Sequence, residues 1–109
     1  MSELKGQIVL ITGAARGIGK SIAKRFALAG AHVIIADINE VEGDKSAEQI
    51  TNEGYTAEFL KIDLAKIASV EAGIQHCFDQ YGHLDVLVNN ARGGQRTLPL
   101  KETEANWQV

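Results

Sequence analysis

The chain has 109 residues, a formal net charge of −3 at pH 7, 45% apolar residues and 23% charged residues. These values are typical of a globular protein, and the length predicts one domain, or part of one, over residues 1–109. The small negative charge argues against nucleic-acid binding, and the sequence shows no signal peptide and no apolar run long enough to span a bilayer. Cys77 is the single cysteine, which argues against an internal disulfide. We therefore expect a cytoplasmic protein without nucleic-acid or membrane partners.

The first predicted element is a strand that ends in a glycine-rich turn. Apolar residues fill positions 8–11, and the glycine spacing Gly-x-x-x-Gly-x-Gly follows, with a helix pattern starting at Ile18. Gly13 allows the turn, Gly17 lets a pyrophosphate approach the backbone, and Gly19 lets the helix pack on the strand. Free N–H groups and the helix dipole then converge on one anion site. The alternative is a structural turn that binds no ligand.

The second predicted strand, 32–37, ends in Asp37, about twenty residues after the turn. A carboxylate there accepts hydrogen bonds from the adenosine ribose hydroxyls and repels a 2′-phosphate, which favours NAD over NADP. Arg16 in the turn argues in the opposite direction, because a cation beside the ribose pairs with that phosphate. The alternative for Asp37 is a turn residue that follows a strand.

Two further helices are predicted from capping residues and apolar spacing. Asn39 caps a mostly polar helix over about 40–53, and Ser69 caps a later one. The inner stripe of the first is predicted to consist of Val41, Ala47 and Ile50. The apolar face of the second is predicted to consist of Val70, Ile74, Cys77, Phe78 and Tyr81.

The remaining strands complete an α/β fold. Glu58 and Lys61 interrupt strand 56–62, so we expect it at a sheet edge, whereas strand 84–89 has an apolar centre. The alternation of strands and helices predicts a Rossmann-type parallel sheet of order 3-2-1-4 with flanking helices and its second half missing. We therefore expect the N-terminal portion of a larger protein, with self-association through the exposed edge of the fourth strand.

A rival interpretation concerns residues 14–21, which satisfy a relaxed Walker A pattern with Ala14 in place of the first glycine. It would make the protein a P-loop nucleotide hydrolase. Magnesium in such enzymes needs an acid at a strand end close to the phosphates. The fourth strand ends in Asn89 and Asn90 instead, which argues against this alternative.

Four motifs occur together along the chain: Thr12-Gly13-x-x-x-Gly17-x-Gly19, Asp37, Asp63-Leu64 and Asn89-Asn90-Ala91. In this order and spacing the sequence resembles the short-chain dehydrogenase/reductase family over essentially its whole length. The resemblance implies a Rossmann-type enzyme that moves a hydride between a nicotinamide cofactor and a carbonyl or hydroxyl carbon. It also implies that Asp63 bonds the adenine amino group beside the Leu64 backbone. Asn89, Asn90 and Ala91 would steady the central strand and touch the cofactor ribose.

Two departures from the family pattern affect these expectations. Arg92 stands where the family motif has glycine, and we expect its side chain to point to solvent. The family's tyrosine acid/base has a lysine four residues on, but Tyr55 and Tyr81 are followed there by Phe59 and Asp85. We therefore predict no catalytic residue, and a small-molecule substrate only for a complete enzyme. We also predict no metal site, because the three histidines are scattered along the chain without metal-ligand spacing. The alternative is a naturally short, non-catalytic nucleotide-binding or interaction module.

Overall fold

A computed structural model of the chain describes residues 3–90. The elements are β1 Ile8–Thr12, α1 Gly17–Leu28, β2 His32–Asp37, α2 Glu40–Asn52, β3 Thr56–Lys61, α3 Ile67–Tyr81 and β4 Val86–Val88. All paired strands are parallel and lie in the order β3-β2-β1-β4, which confirms the predicted order of a Rossmann-type sheet. Within residues 3–90, no helix combines the length and the apolar composition that a membrane crossing requires.

The two central strands are buried on both faces of the sheet. Every residue of β1 is buried, as are the four inner residues of β2. Because successive side chains of a strand point to opposite faces, these two strands supply two cores. One core includes Val9 and Ile35 and is covered by α1 and α2, and the other includes Leu10 and Ile34 and is covered by α3. Because both faces of these strands are buried, their sequences are continuous apolar runs.

The outer strands differ from the central pair in burial. β3 lies at the edge, as Glu58 and Lys61 predict, and the three residues of β4 are only half-buried. Asp85 fastens the amino end of β4 to β1, because its carboxylate accepts the Ile8 N–H at 2.7 Å and its N–H donates to the Ile8 carbonyl at 2.9 Å. In the described part of the chain, no strand pairs with the other edge of β4. Self-association through that edge stays a prediction.

The inner stripe of α2 differs from the predicted one. Val41 is 72% exposed, and the buried residues are Gly43, Ser46, Ala47 and Ile50. At 100° per residue, Val41 lies roughly 120° around the helix from Ala47, whereas Gly43 lies almost in line with it. The prediction included Val41 because it is apolar. In the structure, position around the helix decides burial, so Gly43 and Ser46 are buried although they are not large apolar residues.

The start of α3 also differs from the prediction. The helix begins at Ile67, with Lys66 in the N-cap position, so Ser69 lies inside the first turn. The Ser69 hydroxyl instead accepts the N–H of Asp63 at 2.8 Å. Phe78 was predicted on the apolar face but is 46% exposed. At 100° per residue, Phe78 lies roughly 80–100° around the helix from the buried residues Val70 and Cys77, at the margin of the apolar face.

A polar cluster lies between the sheet and α3, near the amino ends of the strands. The Tyr81 hydroxyl donates to Glu58 on β3, and the Nε2 atom of His32 lies 3.2 Å from the same hydroxyl. The second carboxylate oxygen of Glu58 lies 3.3 Å from Nε2 of His76. Burial, followed by the hydrogen bond to Glu58, raises the pKa of Tyr81. Burial and the Glu58 charge also raise the pKa of the Cys77 thiol, from 9.0 to about 11.

The raised pKa of Cys77 predicts a loss of stability in alkaline solution. Between pH 9 and pH 11 the thiol ionises in the unfolded chain but keeps its proton in the fold, so the free energy of unfolding falls as the pH rises. The expected loss from this residue is about 2 kcal/mol by pH 11. Urea titrations of the parent and of Cys77→Ala across this range measure it, because other titrating groups are common to both. Parallel pH profiles would contradict the prediction.

Candidate functional site

The glycine-rich turn leaves the carboxyl end of β1. Gly13 and Gly17 both have φ of +65°, a left-handed conformation that glycine adopts without strain. The Gly13 N–H donates to the Ala36 carbonyl at 2.8 Å, so the turn is tied to β2 before it leaves the sheet. A Cβ placed on Gly17 would meet no atom of residues 3–90 within 4 Å. The backbone at Gly17 is therefore open to a ligand.

Gly19 is required by close packing. A Cβ at this position would lie 2.1 Å from the Gly13 carbonyl oxygen and 2.5 Å from Nδ2 of Asn90. The same Asn90 amide donates to the Gly13 carbonyl at 3.3 Å. The first turn of α1 thus rests directly on the backbone of the glycine-rich turn, in agreement with the role predicted for Gly19.

Thr12 connects the glycine-rich turn to the end of β4. Its buried hydroxyl accepts the N–H of Asn90 at 2.9 Å and lies 3.1 Å from Oδ1 of Asn89. These contacts tie the end of β4 to the end of β1, and the contact of both asparagines with a cofactor ribose stays a prediction. Ala91 and Arg92, the other residues of this motif, lie outside the described residues.

The N-terminus of α1 is suited to an anion. The first-turn N–H groups of an α-helix lack intrahelical acceptors, and within residues 3–90 no side chain caps them and no acid lies in the first turn. Arg16 holds the N-cap position with an extended backbone and is exposed. Ile18 is 74% exposed, so this helix begins with an open backbone and an uncovered apolar side chain.

Asp37 faces the turn from the end of β2. One oxygen of its carboxylate accepts the Ala15 N–H at 3.1 Å, and the other accepts the Asn39 N–H at 2.9 Å. The Asn39 side chain in turn accepts the Glu42 N–H at 3.0 Å, which confirms it as the N-cap of α2. The carboxylate is therefore held between the glycine-rich turn and the start of α2, with lone pairs left for further donors.

Ser46 contacts the turn but was missed by the sequence analysis. It is 2% exposed, and its hydroxyl donates to the Ala15 carbonyl at 2.5 Å. Burial of a hydroxyl requires a hydrogen-bond partner, and this partner lies 31 positions earlier in the chain. Its spacing, three residues after Gly43 on the buried face of α2, was a signal for its burial but not for its partner.

Asp63 and Leu64 follow β3, two strands away from β1. The N–H of Ile62 donates to the Asp37 carbonyl at 3.1 Å, which brings this segment beside the end of β2. The Asp63 carboxylate accepts the Ala65 N–H at 2.9 Å, and Leu64 packs against the core on the α3 side. These two residues therefore border the same edge of the sheet without joining the contacts around the turn.

Every candidate residue in the described part of the chain lies at the carboxyl edge of the parallel sheet. Here α1 leaves β1 on one face, while β4 joins β1 after α3 has crossed the other face. In open α/β sheets, ligands bind in the crevice at such a switch point. The fold and the glycine-rich turn together define a protein of the Rossmann class.

Comparison with known proteins identifies the family. The family described as short chain dehydrogenase matches residues 7–108. Uncharacterized oxidoreductase YxjF of Bacillus subtilis is 41% identical over 91% of this chain and 38% of its own length. Galactitol 2-dehydrogenase of Agrobacterium fabrum is 43% identical over 82% of this chain and 34% of its own length. A metagenomic short-chain oxidoreductase, solved in complex with NADP, aligns with a TM-score of 0.80 at 34% identity, covering 83% of this chain and 41% of its own.

The chain belongs to the short-chain dehydrogenase/reductase family of oxidoreductases, whose fold binds a nicotinamide dinucleotide. It spans only about two fifths or less of the length of the relatives named above. The resemblance carried by the four sequence motifs is thereby confirmed at the level of the family.

Proposed function

We propose that this chain forms the NAD-binding part of a short-chain oxidoreductase, with its preference for NAD over NADP set by Asp37. The observation that supports it most is the carboxylate held beside the glycine-rich turn by the N–H groups of Ala15 and Asn39. An ionised carboxylate with one bond on each oxygen keeps acceptor capacity for ribose hydroxyls. A 2′-phosphate in the same place would set two anions against each other.

The other residues of the proposed site fit a dinucleotide. The open backbone at Gly17 and the uncapped N-terminus of α1 would receive the pyrophosphate. Asp63 would bond the adenine amino group, with Leu64 beside it. Asn89, Asn90 and Ala91 would steady the central strand and touch the cofactor ribose. The chemistry that a nicotinamide supplies is hydride transfer.

Arg16 is the feature of this chain that favours NADP. It is exposed at the start of α1, and a guanidinium there has the reach and charge to pair with a 2′-phosphate. The metagenomic relative is described in complex with NADP. Asp37 outweighs Arg16 in the proposal because its carboxylate is fixed by two backbone N–H groups, whereas an exposed arginine is solvated and must be ordered on binding.

Proton transfer in the proposed oxidoreductase requires groups other than the two tyrosines of this chain. Tyr55 precedes β3 and Tyr81 ends α3, so both lie toward the amino ends of the strands, opposite the glycine-rich turn. The pKa of Tyr81 is raised, whereas an acid/base at neutral pH needs one near 7. We infer that the chain of 109 residues binds the cofactor without catalysing hydride transfer.

Titration calorimetry of the chain with NAD⁺ and with NADP⁺ tests the proposal. We expect NAD⁺ to bind at least tenfold more tightly, which corresponds to about 1.4 kcal/mol. Nicotinamide mononucleotide, which lacks the adenosine ribose, serves as the control ligand and should bind far more weakly than NAD⁺. Equal affinities for NAD⁺ and NADP⁺, or a preference for NADP⁺, would refute the assignment to Asp37.

A further inference from the structure

Ser46 is a buried polar residue on the face of α2 that points to the glycine-rich turn. Its hydroxyl donates to the Ala15 carbonyl at 2.5 Å, and only 2% of the residue is exposed. Alanine has the higher helix propensity, so the local preference of α2 gives no reason for a serine here. The reason lies in the contact that the hydroxyl makes.

Ala15 is held on both sides by residues of different elements. Its carbonyl accepts from Ser46, and its N–H donates to the Asp37 carboxylate at 3.1 Å. The other oxygen of Asp37 accepts the N–H of Asn39, the N-cap of α2. A closed ring of contacts therefore runs from Asp37 through Ala15 and Ser46 along α2 to Asn39 and back to Asp37.

We propose that Ser46 is a positioning residue for cofactor specificity, acting on Asp37 through Ala15. With Ser46 in place, the backbone at Ala15 has one orientation, and its N–H fixes the direction of the carboxylate oxygen that it bonds. Without the hydroxyl, the Ala15 backbone gains freedom to turn, and the carboxylate presents its lone pairs less consistently to a ribose. The inference rests on the proposed function, because it concerns the same discrimination between NAD⁺ and NADP⁺.

The test compares Ser46→Ala with Ala47→Gly, a matched substitution at the neighbouring buried position of the same helix. Affinities for NAD⁺ and NADP⁺ are measured by calorimetry, and melting temperatures are measured alongside. We expect Ser46→Ala to reduce the ratio of the two affinities about three- to tenfold. Ala47→Gly lowers the melting temperature by weakening α2 but leaves the ratio at the parent value. Ser46→Cys, with similar volume and a weaker donor, gives an intermediate ratio.

A second readout does not involve the cofactor. Hydrogen exchange at the Ala15 amide should be faster in Ser46→Ala than in the parent and unchanged in Ala47→Gly, once global unfolding is taken into account. A parent-like affinity ratio or parent-like exchange at Ala15 in Ser46→Ala overturns the positioning role. Failure of the proposed function gives a different result from failure of the Ser46 proposal, because the unmodified chain itself would then show no preference for NAD⁺.

Discussion

Replacement of Gly19 by alanine is expected to weaken NAD⁺ binding at least tenfold and to lower the free energy of unfolding by about 1–3 kcal/mol. The new Cβ would lie 2.1 Å from the Gly13 carbonyl oxygen, which is backbone, and 2.5 Å from the Asn90 amide nitrogen. Neither the turn nor the helix can avoid this overlap by a side-chain rotation alone. The N-terminus of α1 must therefore move away from the turn, and the proposed pyrophosphate site separates into two parts.

Gly73→Ala on α3 is a suitable control for this experiment. It is also a helical glycine, and its new Cβ would lie 2.4 Å from Cδ1 of Ile62, on the opposite face of the sheet from α1. Urea denaturation and calorimetry with NAD⁺ should show a stability loss in both variants and a binding loss in Gly19→Ala alone. Unchanged NAD⁺ affinity in Gly19→Ala would show that the turn and α1 do not form the site together.

Replacement of Asp37 by alanine is expected to lower NAD⁺ affinity roughly 10- to 100-fold and to abolish the preference over NADP⁺. Hydrogen bonds to a charged group contribute about 1.5–3 kcal/mol each, and the substitution removes the acceptor proposed for the ribose together with the charge that repels a 2′-phosphate. It also removes the acceptor for the Ala15 and Asn39 N–H groups, so the melting temperature should fall. Calorimetry with both cofactors measures the change.

Two companion variants separate charge from shape in this experiment. Asp37→Asn keeps the volume and one acceptor oxygen but removes the charge, so it should relieve most of the repulsion of NADP⁺. Asp44→Ala removes the same charge from an exposed position on α2 and should leave both affinities near the parent values. A parent-like ratio of affinities in Asp37→Ala would contradict the specificity proposed for this residue.

The fold was predictable because its strongest signals are local. Continuous apolar runs identify β1 and β2 as central strands, and Glu58 with Lys61 identifies β3 as an edge strand. The turn after β1 was predictable for the same reason, since its glycines carry the conformation and the close approach that the structure has. The alternation of strands and helices predicts a parallel sheet, which the strand pairing confirms.

The features that were not predictable depend on partners distant in the sequence. Ser46 meets Ala15 from 31 positions away, and Tyr81 meets Glu58 from 23 positions away. Neither pair has a spacing that a single sequence reveals. Serine favours the N-cap position, which predicts Ser69 as a helix cap, but its hydroxyl accepts the Asp63 N–H across the turn before α3. The local preference of serine correctly indicates that its hydroxyl accepts a backbone N–H, but it does not indicate which N–H.

The central position of β1 has a consequence for the order of folding. β1 pairs directly with β2, from which it is separated in the sequence by one helix. Its contact with the β4 segment joins Ile8 and Asp85, which are 77 positions apart. Contacts of large sequence separation are entropically costly to close, so we expect β4 to dock after β1, β2 and β3 have assembled. Because Asn90 contacts Gly13 only once β4 is in place, the proposed cofactor site is complete only after this last docking step. A dinucleotide that binds only the completed site would then stabilise the docked position of β4 and shift the folding equilibrium toward the complete sheet.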